Sequence, residues 1–172
     1  PVKSGALFVD QFKAKERILY ERFVGQLANR RGNAQQCLFP INIELSPGDF
    51  SLVMELQDEI SSLGFIYEEF GGNCIVINAT PAGISASNEK MLFEGLIEQF
   101  KMNKAELTIS KQDSLARAMA KRASINDSVV LTKVEGKLLI EKLFACENPN
   151  YDPDGGKTFF ILDLKRIENF FS

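Results

Sequence analysis

The sequence predicts an α+β fold in the order β-α-β-α-β-β-α-α-α-β-α, and three observations carry that reading. The chain has 172 residues, a length suited to one domain or to two small lobes sharing a core, and 45% of them are hydrophobic, enough to fill it. Apolar residues switch along the chain between helical spacing and strict alternation. Glycine, proline and asparagine punctuate the segments where turns are needed.

The segment Ala6 to Asp10 reads as a short buried strand that delivers Asp10 to its C-terminal end. A helix follows from Lys13 to about Asn29, because Ile18, Leu19, Phe23, Val24 and Leu27 recur at helical spacing, and Arg30 to Asn33 stops it. After a polar loop, Leu38 to Leu45 alternates Ile41, Ile43 and Leu45 inward with Asn42 and Glu44 outward, the pattern of a half-buried strand. Ser46-Pro47-Gly48-Asp49 supplies an N-cap serine, a proline at the first helical position and an acid in the first turn. That helix is expected to run to Leu63, with Gly64 as its C′ residue. Strands around Phe65–Phe70 and Cys74–Ala79 flank Gly71-Gly72-Asn73, a hairpin signal, and Pro81 to Ser87 reads as a small-residue linker. Helices are expected over Asn88–Lys101, Asp113–Ser124 and Thr132–Ala145. The loop Glu147 to Gly156 follows, then a strand over Thr158–Leu162 and a short helix over Asp163–Phe171.

Composition excludes several function classes. A net charge of −3 gives no overall pull toward nucleic acid, so any DNA contact is local and weak. Cys37, Cys74 and Cys146 lie far apart with no CxxC spacing, which argues against a disulfide framework or a zinc ribbon and for a reducing, cytoplasmic setting. The chain opens at Pro1 with no leader, and its apolar runs are too short to span a bilayer, so it reads as a soluble fragment of something longer with no membrane contact. Histidine is absent, which removes Ser-His-Asp and Cys-His catalysis and any His-containing zinc site.

The stretch Asp10 to Glu21 resembles the DQHA(x)2E(x)4E segment of the MutL family's C-terminal domain, with Asp10, Gln11, Glu16 and Glu21 in register. Ile43 to Pro47, Leu63-Gly64-Phe65 and Glu69 to Asn73 resemble that family's next strand, helix and hairpin in the same order. Ala120 to Ile125 sits where the family often has ACRxxI, and Asp152 to Lys157 where its nuclease members have CPHGRP. The resemblance covers nearly the whole chain. It implies two lobes, one from the chain ends (residues 1–32 and 85–172) that pairs across a two-fold axis, and an external lobe from the middle (residues 33–84).

In nuclease members the resemblance implies metal ligands at positions that here are largely lost: Phe12 replaces the histidine, Lys121 a cysteine, and Asp152 and Asp154 the cysteine and histidine of CPHGRP. Glu16 alone is retained, and Phe170-Phe171-Ser172 lacks the arginine of a closing FxR triplet. One reading keeps a residual Mg²⁺- or Mn²⁺-dependent nicking site built from Asp10, Glu16, Asp152 and Asp154. The simpler reading makes these degenerate positions: Asp10 caps the helix, Glu16 and Glu21 form a solvated face paired with Arg17 or Arg22, and Asp152 to Gly156 is an ordinary turn. The simpler reading is preferred, and with it no catalytic residue and no metal or other cofactor.

Gln35 to Pro40 resembles the QxxLxP pattern by which MutL homologues bind the replication sliding clamp, with Gln35, Leu38 and Pro40 matching and Phe39 as an extra anchor. The alternative is that Leu38 and Phe39 are the buried start of the strand. The terminal segments carry Phe159 to Leu162 and Phe170-Phe171, residues that suit either an interface between identical copies or a core. With the resemblance, the expectation is a homodimerisation module that joins two ATPase-bearing protomers and docks mismatch-repair partners such as MutS. ATP binding belongs to an N-terminal region outside this chain. Whether Lys121, Arg122, Lys142, Lys165 and Arg166 gather into a DNA-facing patch is left to the structure.

Overall fold

The computed structural model describes residues 5–84, 89–103, 110–126 and 130–169. Its first strand, β1 (Gly5–Val9), pairs antiparallel with β5 (Phe159–Asp163), in register from Gly5↔Asp163 to Val9↔Phe159, so the two ends of the chain meet. Asp10 ends β1 and starts α1 (Gln11–Asn29): its carboxylate accepts hydrogen bonds from the amides of Phe12 at 3.0 Å and Lys13 at 3.1 Å. That satisfies two of the donors a helix start leaves open. The helix ends where Arg30 adopts a left-handed conformation, φ 51°, and the Arg31 amide closes on the Gln26 carbonyl at 3.1 Å.

A second sheet follows the order β2-β4-β3, all antiparallel, from β2 (Ala34–Glu44), β3 (Ile66–Glu69) and β4 (Cys74–Pro81). β4 is the central strand and buries Ile75, Ile77, Ala79 and Pro81 in strict alternation. β2 starts four residues earlier than its apolar alternation indicates, because Gln35 and Gln36 pair with Thr80 and Ala79 at a sheet edge where neither face needs an apolar side chain. The hairpin between β3 and β4 turns at Gly71 and Gly72, both at positive φ, as the sequence signal requires.

The helix expected over Pro47–Leu63 is two helices, α2 (Pro47–Glu55) and α3 (Gln57–Leu63). The break falls at Leu56, whose backbone leaves the helical region (φ −98°, ψ 13°) while its side chain stays fully buried. The kink lets Val53 of α2 and Ile60 and Leu63 of α3 reach the same core. Ser46 caps α2 as expected, accepting from the Asp49 amide at 3.1 Å. Where the chain leaves α1 it crosses the end of α3 closely: a Cβ on Gly32 would stand 2.6 Å from the Gly64 nitrogen and the Ser61 oxygen, so only glycine fits there.

Three helices complete the core side: α4 (Glu89–Asn103), α5 (Lys111–Asn126) and α6 (Lys133–Phe144), the last with a capping box between Thr132 and Glu135. Phe93 of α4 meets Phe65 edge-on at 5.2 Å and Tyr67 at 5.9 Å, which docks α4 on the β2-β4-β3 sheet. α5 buries Ala116, Ala120 and Ala123 beside Leu115 and Met119, and these small side chains let it nestle against both α1 and α4. One continuous apolar cluster therefore links α1, the sheet and α2 to α5. The last helix, α7 (Leu164–Glu168), is shorter than expected; of the apolar terminal residues, Phe170 and Phe171 lie outside the described residues. Of the linker expected at Pro81–Ser87, Pro81 belongs to β4, and residues 85–88 lie outside the described residues.

Candidate functional site

The loop between α6 and β5 lies across one side of α1 and α5 and is fastened at many points. Glu21 accepts from two successive loop amides, Glu147 at 2.8 Å and Asn148 at 3.1 Å. Arg17, buried beside it, donates from Nε to the Tyr151 carbonyl at 2.6 Å and sits 3.7 Å from Glu21. The Asp10 amide reaches the Thr158 carbonyl at 2.8 Å, and the Thr158 hydroxyl donates to the Pro149 carbonyl. From α5, Arg117 donates through Nη1 to the Pro153 carbonyl at 2.5 Å while its Nε holds Asp113 at 2.8 Å.

Within this loop Asp152 to Gly156 forms the expected turn, with the Gly155 amide on the Asp152 carbonyl at 3.1 Å and the Asp152 amide on the Gly156 carbonyl at 2.8 Å. The Asp152 side chain, 6% exposed, accepts from the Gly156 amide at 2.7 Å. A Cβ on Gly156 would stand 2.5 Å from Asp152 Oδ2 and 2.8 Å from Lys13 Nζ, so the turn leaves no room there for a side chain. Asp154 faces two cations: Lys121 Nζ lies 2.9 Å from Oδ2 and Arg117 Nη1 lies 3.6 Å from Oδ1.

The structure thus gathers Glu16, Lys121, Asp152 and Asp154, four of the positions singled out in the sequence, into one electrostatic cluster. Burial pushes the Glu16 carboxyl up to about 7; Asp154 and Asp152 add to the rise, and Lys121 and Arg117 oppose it. Asp154 in turn holds the Lys121 ammonium above its ordinary range. Asp10 stands apart, its side chain spent on the α1 cap. The expected solvated face of Glu16 and Glu21 is corrected. Glu16 is half-buried and Glu21 holds the loop backbone; of the two expected partners Arg17 does pair with Glu21 at 3.7 Å, while Arg22 donates to the Ala82 carbonyl at 2.7 Å instead.

Tyr20 and Arg117, absent from the sequence reading, help hold this site together, and Arg17 pairs with Glu21 at 3.7 Å as that reading expected. A signal for part of it was present, since Asp113, Arg117 and Lys121 stand at i, i+4 spacing and so share one face of α5.

The donor set does not suit the metal implied by the resemblance. Phe12 has no lone pair and Lys121 brings a positive charge into the cluster. Both oxygens of Asp154 already face cations, and one oxygen of Asp152 is committed to a backbone amide. Among the described residues no group of three acidic or cysteine side chains is disposed to hold an ion.

Two surface features lie elsewhere. Between Gln36 and Ile41 the β2–β4 register shifts, and there Leu38 is 95% and Phe39 81% exposed, so they are not the buried start of a strand. Gln35 pairs with Thr80 just before the shift, and Pro40 is exposed at its end. On the β1–β5 ribbon, Phe8 and Phe160 stack across the two strands and Ile161 is exposed, as is Leu164 just after β5. The basic residues of α5 do not stand free: Lys121 is paired with Asp154, and Arg122 with Glu98 at 2.8 Å. Among the described residues no helix is long and apolar enough to cross a membrane.

The family described as "MutL C terminal dimerisation domain" matches residues 2–131. A protein of Flavobacterium psychrophilum named DNA mismatch repair protein MutL is 32% identical over 172 residues, covering 100% of this chain and 28% of its own length. Proteins of the same name from Flavobacterium johnsoniae (32% over 172 residues, 100% of this chain) and Phocaeicola vulgatus (33% over 170 residues, 99% of this chain) are each covered over 27% of their length. The chain therefore spans little more than a quarter of these relatives. A family match over residues 2–131, well over half of the chain, shows that this chain belongs to the MutL C-terminal dimerisation domain family.

Proposed function

We propose that this domain is the joint of a MutL-type DNA mismatch-repair protein. It pairs with a second copy of itself and keeps two ATPase-bearing protomers together. The observation that carries the reading is the β1–β5 ribbon. A two-stranded sheet is marginal in water on its own, yet this one presents Phe8, Phe160 and Ile161 to solvent, with Leu164 just beyond it. Such residues suit an isologous interface, where each copy covers the other's apolar face. In this reading the pairing lobe comprises residues 1–32 and 85–172, and residues 33–84 form the external lobe.

Pairing makes contact between the two N-terminal regions intramolecular and raises their effective concentration, so that ATP-driven closure can clamp DNA. The domain itself binds no ATP and catalyses nothing in this reading, because the charged cluster at Glu16, Lys121, Asp152 and Asp154 lacks free ligands for a nuclease metal. Its work is cytoplasmic, with MutS and other repair proteins as partners and at most weak contact with DNA.

The external lobe adds a docking segment for the sliding clamp. Leu38, Phe39 and Pro40 project from the sheet edge as apolar anchors, with Gln35 as the hydrogen-bonding end. Amide exchange of the purified chain at increasing protein concentration tests the pairing. Exchange in β1 and β5 is expected to slow with concentration while β3 and β4 stay constant; a concentration-independent pattern in β1 and β5 contradicts it.

A further inference from the structure

Relatives with the complete motif are expected to bind a metal where this chain carries the charged cluster, and the misfit of that metal here has a structural counterpart. We propose that Lys121, backed by Arg117, is a built-in counter-charge that fastens the turn at residues 152–156 onto α5 and α1, in place of a bound divalent ion. The proposal rests on the reading of this site as one that holds no metal.

The geometry is that of a cross-link. Lys121 Nζ meets one oxygen of Asp154 at 2.9 Å, and Arg117 Nη1 meets the other at 3.6 Å while donating to the Pro153 carbonyl at 2.5 Å. Two residues one turn apart on α5 therefore grip both the side chain of residue 154 and the backbone just before it. Glu16 on α1 completes the cluster, coupled electrostatically to Lys121, Arg117, Asp152 and Asp154. Three carboxylates drawn together repel unless positive charge lies among them. Here that charge is covalently attached to the fold, at the position where the family pattern has a cysteine, so it is present at any metal concentration. A divalent ion entering the cluster meets the Lys121 ammonium as a like charge and has to displace two cations from Asp154.

Lys121 and Asp154 are both partly exposed, and exposed pairs of this kind contribute little to global stability. The effect is therefore read locally, by hydrogen exchange of residues 151–157 in the whole chain with chelator and with excess Mn²⁺ or Zn²⁺. The wild type and Lys121→Arg are expected to exchange alike in all conditions. Lys121→Met keeps the aliphatic stem and loses the charge, and is expected to exchange about fivefold faster in this loop; Asp154→Asn, at an exposed position, is expected to do the same. Unchanged exchange in both variants, with no metal bound, overturns the role of Lys121 and leaves the metal-free reading standing. A wild-type loop that slows on adding metal, with stoichiometric binding, overturns that reading and the proposal together.

Discussion

The Tyr20 hydroxyl donates to Asp113 at 2.5 Å, and two guanidiniums lie near its ring, with Arg17 5.1 Å and Arg117 5.8 Å from the centroid. One side chain thus ties α1 to α5 and orders both arginines that grip the 147–158 loop. Burial and the Asp113 carboxylate push the Tyr20 phenol up to about 12, so it remains a donor at any working pH. Tyr20→Phe removes a hydrogen bond to a charged acceptor but leaves Asp113 paired with Arg117. The expected loss is about 1–2 kcal/mol in urea unfolding. A change within error would mean that the Tyr20–Asp113 bond adds nothing to the α1–α5 contact.

Glu16 gives the domain a pH dependence of definite sign. Its carboxyl titrates at about 7 in the folded chain against an ordinary 4.5, so folding favours the protonated form. That contribution is full below the unfolded value and is lost as pH rises through the folded one. Glu16→Gln is expected to match the wild type near about pH 4 and to exceed it by ~1 kcal/mol near about pH 8, a figure discounted for the group's partial exposure. Parallel stability curves for the two proteins across that range would contradict the assignment.

Two glycines predict opposite outcomes for the same change. Gly25 lies in the interior of α1 with open space where a Cβ would stand, so Gly25→Ala is expected to raise stability by roughly 0.5–1 kcal/mol through helix propensity. In Gly32→Ala the new Cβ meets backbone atoms of Ser61 and Gly64 at 2.6 Å, atoms that no rotamer change can move. A loss of at least about 2 kcal/mol is expected there by thermal unfolding. Equal effects at both positions would show that the crossing of α1 and α3 is looser than described.

The segment at Leu38 and Phe39 separates binding from folding. Both side chains are almost fully exposed, so Leu38→Ser with Phe39→Ser is expected to change stability by less than about 0.5 kcal/mol. The same variant is expected to lose retention on immobilised sliding clamp, while the wild type is retained. Retention of the double variant at wild-type level would remove this segment from the proposed docking surface.

Much of the fold was legible because its signals are local. The α1 register follows from Phe23 and Leu27 together with a capping Asp10, although Val24, expected on the same face, is exposed; the α2 start follows from Ser46-Pro47. The break at Leu56 was not, because no proline or glycine marks it and the kink is imposed by burying Leu56, Val53 and Ile60 against one core. The first half of β2 was missed because an edge strand needs no apolar face. At the candidate site, the departures from the family pattern could be read residue by residue. Their company could not: Arg17 reaches a carbonyl 134 positions away, and only the fold brings Lys121 to Asp154.

Pairing through the β1–β5 ribbon is tested most directly by solution mass from light scattering over a dilution series, for the wild type and for Phe160→Glu. Phe160 is 54% exposed and stacked on Phe8, so the glutamate costs the single copy little while placing like charges face to face in a two-fold interface. A wild-type dimer that persists on dilution and a folded, monomeric variant are expected. A wild-type monomer, or a variant as dimeric as the wild type, would contradict pairing through the ribbon.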